Sequence, residues 1–261
     1  MLVDKNNEML VNRLANRIRR KLQFGIIRRH KTAQIYASLH GWPLRGNVSN
    51  QPNYVKPTVH LDSNSTSIKL NIGGGKGHPK VNGWTIVDLR EKAADVVMDI
   101  SKEPLPYNSN TVDIIFSSHT LEHIYPQRLL FVLSEVHRVL KSETGVVRIL
   151  VPDIESAIKA YISDNYSFFQ QSSIGQFDSE APIGGLLASW FYSTRIFETG
   201  ALKHGDGHVH CFDYDYIAYW LQKAGFSKVW RSSWQQSILP ELRSPEFDRH
   251  PNDSLFIEAS K

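Results

Sequence analysis

Apolar residues alternate through Ile68, Leu70 and Ile72, and the chain then runs into glycines at 73, 74, 75 and 77. A period of two predicts a strand over 67–72, and the glycines end it in a turn. Short apolar runs predict further strands over 84–88, 95–99, 112–117 and 146–151. The spacing changes at Leu129, Leu130, Val132, Leu133, Val136 and Leu140, which share one face of a helix over 126–140. Helices are also predicted over 153–163 and over 213–224, the latter stopped by Gly225. Strands over 227–233 and 254–259 have only a Pro-containing loop between them, so they can pair as an antiparallel hairpin. Strands alternating with helices imply an α/β fold with a mostly parallel sheet. The stretch 165–211 holds Phe168, Phe169, Phe177, Trp190, Phe191, Tyr192 and Phe197 without a regular period. An irregular segment of that length inside an α/β body predicts a substrate-covering insertion.

The N-terminal part reads differently. Leu10, Leu14, Ile18 and Leu22 recur every four residues beside Arg13, Arg17 and Arg20, predicting a basic helix over about 8–29. Such a helix packs on the body, associates with itself, or lies on an anionic membrane surface. Pro, Asn and Ser dominate from Gly41 to Ser67 and read as a linker. The expected division is a basic helical extension with its linker over 1–60 and a catalytic domain over 61–261. The chain totals +4, but residues 1–60 carry eleven Lys/Arg against Asp4 and Glu8. That +9 leaves the remaining residues at −5, which argues against a nucleic-acid groove in the body and against a nucleic-acid partner. At 261 residues the chain can bury a substantial core. Cys211 is its only cysteine, so no intrachain disulfide forms. With no long apolar run and no leader-like start, a cytoplasmic location is expected, with peripheral membrane contact through residues 8–29 as its variant.

A strand ending in glycines lets backbone N–H groups approach a ligand, because no Cβ intervenes. The second predicted strand ends at Asp88, an acid that can accept from a ribose diol. Gly73 and Asp88 are only 15 positions apart, against about 20 in a dinucleotide-binding unit. The intervening helix must therefore be short or replaced by a loop, in keeping with Pro79 and Gly83. This spacing also counts against an NAD-dependent sugar dehydrogenase, for which Tyr219 and Lys223 offer only a commonplace Tyr-x-x-x-Lys pair. His204, Asp206, His208 and His210 have metal-ligand chemistry, and His208 and His210 would share a face if the backbone were a strand. A ligand set needs further convergence, so no metal is assigned, and a substrate-facing polar loop or plain surface is the alternative.

The run Asn71-Ile-Gly73-Gly74-Gly75-Lys-Gly77 resembles the first motif of class I S-adenosylmethionine-dependent methyltransferases, with Asn71 where the family usually has an acid. Asp88, then Asp99-Ile100 before Leu105-Pro106-Tyr107, follow in the family's order. So do Ser117-Ser118-His119-Thr-Leu121-Glu122-His123 and Arg138-Val-Leu-Lys141 with Arg148-Ile-Leu-Val-Pro152-Asp153. His210-Cys-Phe-Asp213 through Phe226 complete the series. The resemblance implies a seven-stranded Rossmann-like sheet with an antiparallel last strand, and S-adenosyl-L-methionine as cofactor. It implies a cofactor site of Asn71, Gly73, Gly74, Gly75, Asp88, Leu89, Asp99, Ile100, Ser117, Ser118 and His119. A hydroxyl acceptor needs a general base. His119 and His123 are the first candidates, His208 and His210 the next, and Asp153 the third. Leu121-Glu122-His123 reads equally as a helix start with a capping role. The stretch Ser237–Ala259 also resembles a bacterial subgroup that accompanies surface-polysaccharide enzymes, which implies O-methylation of a sugar or glycan intermediate. The alternatives are a small-metabolite or lipid acceptor, or an inactive binding protein of the same fold.

Overall fold

The structure is a computed structural model, and the residues described here are 67–75, 80–92, 94–172, 174, 178–193 and 207–261. The extension over 1–60 with its helix at 8–29, the linker, Gly77, Pro79, Phe177, Phe197, His204 and Asp206 lie outside them.

Seven strands form one sheet: β1 (Lys69–Ile72), β2 (Thr85–Asp88), β3 (Val96–Val97), β4 (Ile114–Ser118), β5 (Val146–Pro152), β6 (Lys228–Arg231) and β7 (Ser254–Ser260). Their order is β3-β2-β1-β4-β5-β7-β6. The β1, β2, β3, β4 and β5 pairings are parallel, whereas β7 runs antiparallel to both β5 and β6. The predicted hairpin therefore forms with β7 inserted beside β5. The edge strand β3 has only two residues and the other edge, β6, has four, which limits exposed ladder groups. Between β1 and β2 the described residues make only turns, as the short glycine-to-acid spacing requires.

Helix α1 (Pro126–Val139) begins with Pro at its first position, where a missing N–H costs nothing. Its Leu129, Val132, Leu133, Val136 and Val139 enter the larger core together with Leu70, Ile115, Val147 and Ile257. A second core, with Trp84, Phe116, Leu150, Leu239, Leu242 and Phe247, gathers other sheet residues. Helix α2 (Ile154–Ile162) follows β5 and is capped by Asp153, whose side chain accepts from the N–H of Glu155 at 3.1 Å.

The insertion over 165–211 is not irregular throughout. It contains α3 (Tyr166–Gln171) and α4 (Ile183–Tyr192). The first is too short to show a period, and the second is apolar around most of its circumference, so neither writes an amphipathic signal into the sequence. Both pack on α2: Phe169, Leu186 and Trp190 close over Ala157 and Ala160. These aromatics are packing groups of a small third core.

Helix α5 (Tyr214–Lys223) ends at Gly225, with φ +110°. The Gly225 N–H donates to the Gln222 carbonyl at 3.0 Å and the Phe226 N–H to that of Leu221 at 3.1 Å, a Schellman termination. A Cβ at Gly225 would come within 3.0 Å of the His137 ring. Gly225→Ala is therefore expected to lower unfolding free energy by about 1–2 kcal/mol; equilibrium denaturation showing no loss would contradict this account of the helix end.

Arg148 sits in the middle of β5 with no exposed surface. Its five N–H groups meet five acceptors: Asp248 Oδ1 at 2.9 Å and Oδ2 at 2.6 Å, Glu258 Oε1 at 3.0 Å, Ser232 Oγ at 3.1 Å and the Ser233 carbonyl at 3.0 Å. Glu258 Oε2 accepts from Trp230 Nε1 at 3.0 Å and the Ile238 N–H at 3.2 Å. The network joins β5, β6, β7 and the loop between the last two strands.

Candidate active site

In this strand order the connections leave β1 toward one edge of the sheet and β4 toward the other. Open α/β sheets bind ligands at such a reversal, outside the carboxyl ends of the strands. Ile72 pairs with Ser117 across it, so Gly73 and Ser118 lead out of adjacent strands at the same level. Gly73 has φ +75° and donates its N–H to the Val87 carbonyl at 2.8 Å. A Cβ there would lie 1.9 Å from Thr120 Oγ1, so the glycine gives both the left-handed turn and the space for Thr120. Thr120 was not among the expected residues; it also bonds the Ser118 carbonyl at 3.1 Å.

Asp88 ends β2, is 5% exposed, and organises the turn above β1. Its Oδ2 accepts from the Gly75 N–H at 2.9 Å and its Oδ1 from the Arg90 N–H at 2.8 Å. Each oxygen keeps a further lone pair for a ligand hydroxyl. Leu89 beside it is exposed. Asp99 Oδ1 accepts from the Ser101 N–H at 3.0 Å, its Oδ2 lies 2.9 Å from Lys102 Nζ, and Ile100 is partly buried against the core. Asn71 lies beneath the turn, where a Cβ on Gly74 would come within 2.7 Å of its amide. Asn71 Oδ1, Ser117 Oγ and Ser118 Oγ are all buried without a hydrogen-bond partner. Three unpartnered oxygens at the ends of two central strands are unusual in a folded interior, and they suit a ligand that brings donors.

Past β4 the chain turns sharply at His119, with φ +48°. Its N–H donates to the Leu150 carbonyl at 2.9 Å, and its Nε2 lies 2.8 Å from Ser254 Oγ. His119 Nδ1 lies 3.4 Å from Glu122 Oε1, and the His250 ring packs edge-on at 4.6 Å. Leu121–His123 form one 3₁₀ turn. This turn is both a helix start and a cluster of functional groups.

Glu122 is fully buried, and neither carboxylate oxygen has a hydrogen-bond partner. Burial, reinforced by repulsion from Asp253, pushes its carboxyl up to about 8. Its carbonyl accepts from the Val209 N–H at 2.8 Å and the His210 N–H at 3.1 Å, which fastens the segment after the insertion. That segment is not a strand, so the expected common face for His208 and His210 does not form. His208 turns toward Glu122 and His123, whereas His210 Nε2 reaches Tyr216 OH at 3.3 Å and its ring packs on Phe212. Burial holds the His210 imidazole below its usual pKa. The Cys211 thiol is pushed up to about 11, by burial first and then by Glu122, and is a neutral group. Tyr219 and Lys223 form an exposed pair at 3.5 Å on α5.

Residues 83–147 match a family described as a methyltransferase domain. The seven-stranded order, with β7 antiparallel to its neighbours, is the sheet that the resemblance of the sequence implied. Three solved structures are similar to the chain. A SAM-dependent methyltransferase from Archaeoglobus fulgidus is 15% identical over 75% of this chain and 86% of its own, with a TM-score of 0.43. One from Mesorhizobium loti is 16% identical over 77% and 94%, with a TM-score of 0.42. A possible histamine N-methyltransferase from Thermotoga maritima is 15% identical over 74% and 82%, with a TM-score of 0.41. No curated protein matches the chain. Among the described residues no helix is long and apolar enough to cross a membrane.

Proposed function

We propose that the protein transfers a methyl group from S-adenosylmethionine to a hydroxyl of a sugar or glycan intermediate, with His119 as general base. The observation that carries the reading is the set of unpartnered buried oxygens of Asn71, Ser117 and Ser118, at the carboxyl ends of β1 and β4 beside the Gly73 turn. Gly73, Gly74 and Gly75 bring the backbone close, Asp88 accepts from the ribose hydroxyls, and Asp99 with Ile100 borders the adenine. Bound there, the cofactor supplies an electrophilic methyl on a sulfonium sulfur.

His119 follows Ser118 directly, at the carboxyl end of β4. The acceptor hydroxyl gives its proton to the imidazole while its oxygen bonds the methyl carbon. The carbon–sulfur bond breaks, and its electron pair stays on sulfur as a neutral thioether. Glu122 faces Nδ1, and Nε2 takes the proton, the acceptor hydroxyl displacing Ser254 Oγ from its 2.8 Å contact there. Sugar acceptors are favoured by the resemblance of the C-terminal stretch.

His119→Gln is expected to cut kcat by about 10²–10⁴-fold while leaving cofactor affinity unchanged. An unchanged kcat would move the base elsewhere, to His123, His208, His210 or Asp153. The acceptor is tested by incubating the full chain with isotope-labelled cofactor and panels of nucleotide-sugars, glycans, small metabolites and lipids. The expected result is a one-methyl mass gain on a sugar hydroxyl. Transfer to an unrelated acceptor alone would overturn the sugar assignment.

A further inference from the structure

Glu122, His123 and His208 offer three ligand atoms that all lie within 4.8 Å of one another. The Nε2 atoms of His123 and His208 each stand 4.0 Å from the same Glu122 Oε1. His123 Nδ1 lies 2.9 Å from the Gly207 carbonyl. A carbonyl only accepts, so Nδ1 carries the proton and the neutral ring presents the Nε2 lone pair toward Glu122. Metal-binding imidazoles are oriented by this kind of outer contact. The His208 side chain is 6% exposed.

An uncompensated buried carboxyl is costly, because both oxygens give up water without gaining a partner. Among the described residues its ion-pair neighbours are the imidazoles of His119, His123 and His208, and no lysine or arginine is paired with it. A cation between the two imidazoles and the carboxylate would remove that cost.

We propose that Glu122, His123 and His208 bind one divalent transition-metal cation of the zinc class. Two imidazoles and one carboxylate are a known ligand set for zinc, and three protein ligands leave a fourth position open. Bonds of about 2.1 Å in a tetrahedron put ligand atoms roughly 3.4 Å apart. The observed 4.0 Å separations from Glu122 therefore need to contract by about 0.6 Å, within a set whose atoms all lie within 4.8 Å of one another. The cation would staple the turn after β4 to the segment after the insertion; His123 and Gly207 are 84 positions apart. This inference does not rest on methyl transfer, and its test does not read activity.

The test uses the full chain, stripped with a chelator and titrated with Co²⁺, followed by visible d–d absorption and by displacement with Zn²⁺. One equivalent is expected, with a rise in Tm. Glu122→Gln and His208→Asn are each expected to weaken binding by more than about 100-fold, since losing a group that only orients a ligand already costs roughly 10–100-fold. His210→Asn is expected to retain it. If those variants fail to fold, proton NMR of the Co²⁺-loaded unmodified chain decides: two hyperfine-shifted imidazole N–H signals are expected. Absence of Co²⁺ binding, binding retained by both ligand variants, or absence of shifted imidazole signals would each overturn the assignment.

Discussion

Asp88→Ala weakens the binding of S-adenosylmethionine by at least about 100-fold in this account. Two ribose hydroxyls donating to an ionised carboxylate are worth roughly 1.5–3 kcal/mol each, and each 1.4 kcal/mol is tenfold in affinity. The substitution has a second consequence, because the same carboxylate holds the Gly75 and Arg90 N–H groups at 2.9 Å and 2.8 Å. The turn above β1 loses its anchor together with the ligand contact. Asp88→Asn is expected to fare little better, since the amide places a donor against one of those N–H groups. Titration calorimetry on each folded variant checks this. Affinity within a few-fold of the unmodified protein would mean that Asp88 is an internal brace of the turn and no more.

Arg148→Met is expected to cost about 3–5 kcal/mol of folding stability, the usual result of stripping one partner from a buried ion network. For a domain of this size that corresponds to a fall in Tm of roughly 6–20 °C. Size is not the reason, since methionine fills much of the same volume. Asp248 and Glu258 would remain fully buried without the guanidinium that neutralises them. The triple variant Arg148→Met, Asp248→Asn, Glu258→Gln should therefore recover part of the loss, because no uncompensated charge is left behind. Thermal and chemical unfolding measure both. A loss below about 1 kcal/mol for the single variant would show that the network contributes little to stability.

The sheet was legible because its strands are buried in simple ways. β1 alternates, β4 opens on Ile-Ile-Phe, β5 is apolar except for Arg148, and α1 carries a clear apolar stripe. The turn at Gly73 and the acid at Asp88 were legible for a related reason: a backbone that must bend and approach a ligand writes glycines into the sequence at a fixed place. What stayed hidden depends on partners far along the chain. Arg148 reads as an odd cation in an apolar strand until Asp248 and Glu258 are seen beside it, 100 and 110 positions away. Glu122 reads as an ordinary helix-start residue, because nothing local says that β4, β5 and the 207–210 segment close over it. Helix α4 is apolar on too many sides to show a period. The expected common face of His208 and His210 failed because two backbone bonds to the Glu122 carbonyl hold those residues out of strand geometry.

The central claim is that the carboxyl ends of β1 and β4, with the Gly73 turn and Asp88, form a site for S-adenosylmethionine. Calorimetric titration of the full chain with S-adenosylmethionine and S-adenosylhomocysteine tests it most directly. The account predicts saturable one-to-one binding of both, abolished by Gly73→Val in protein that remains folded. Absence of binding by either compound to the unmodified chain would contradict it.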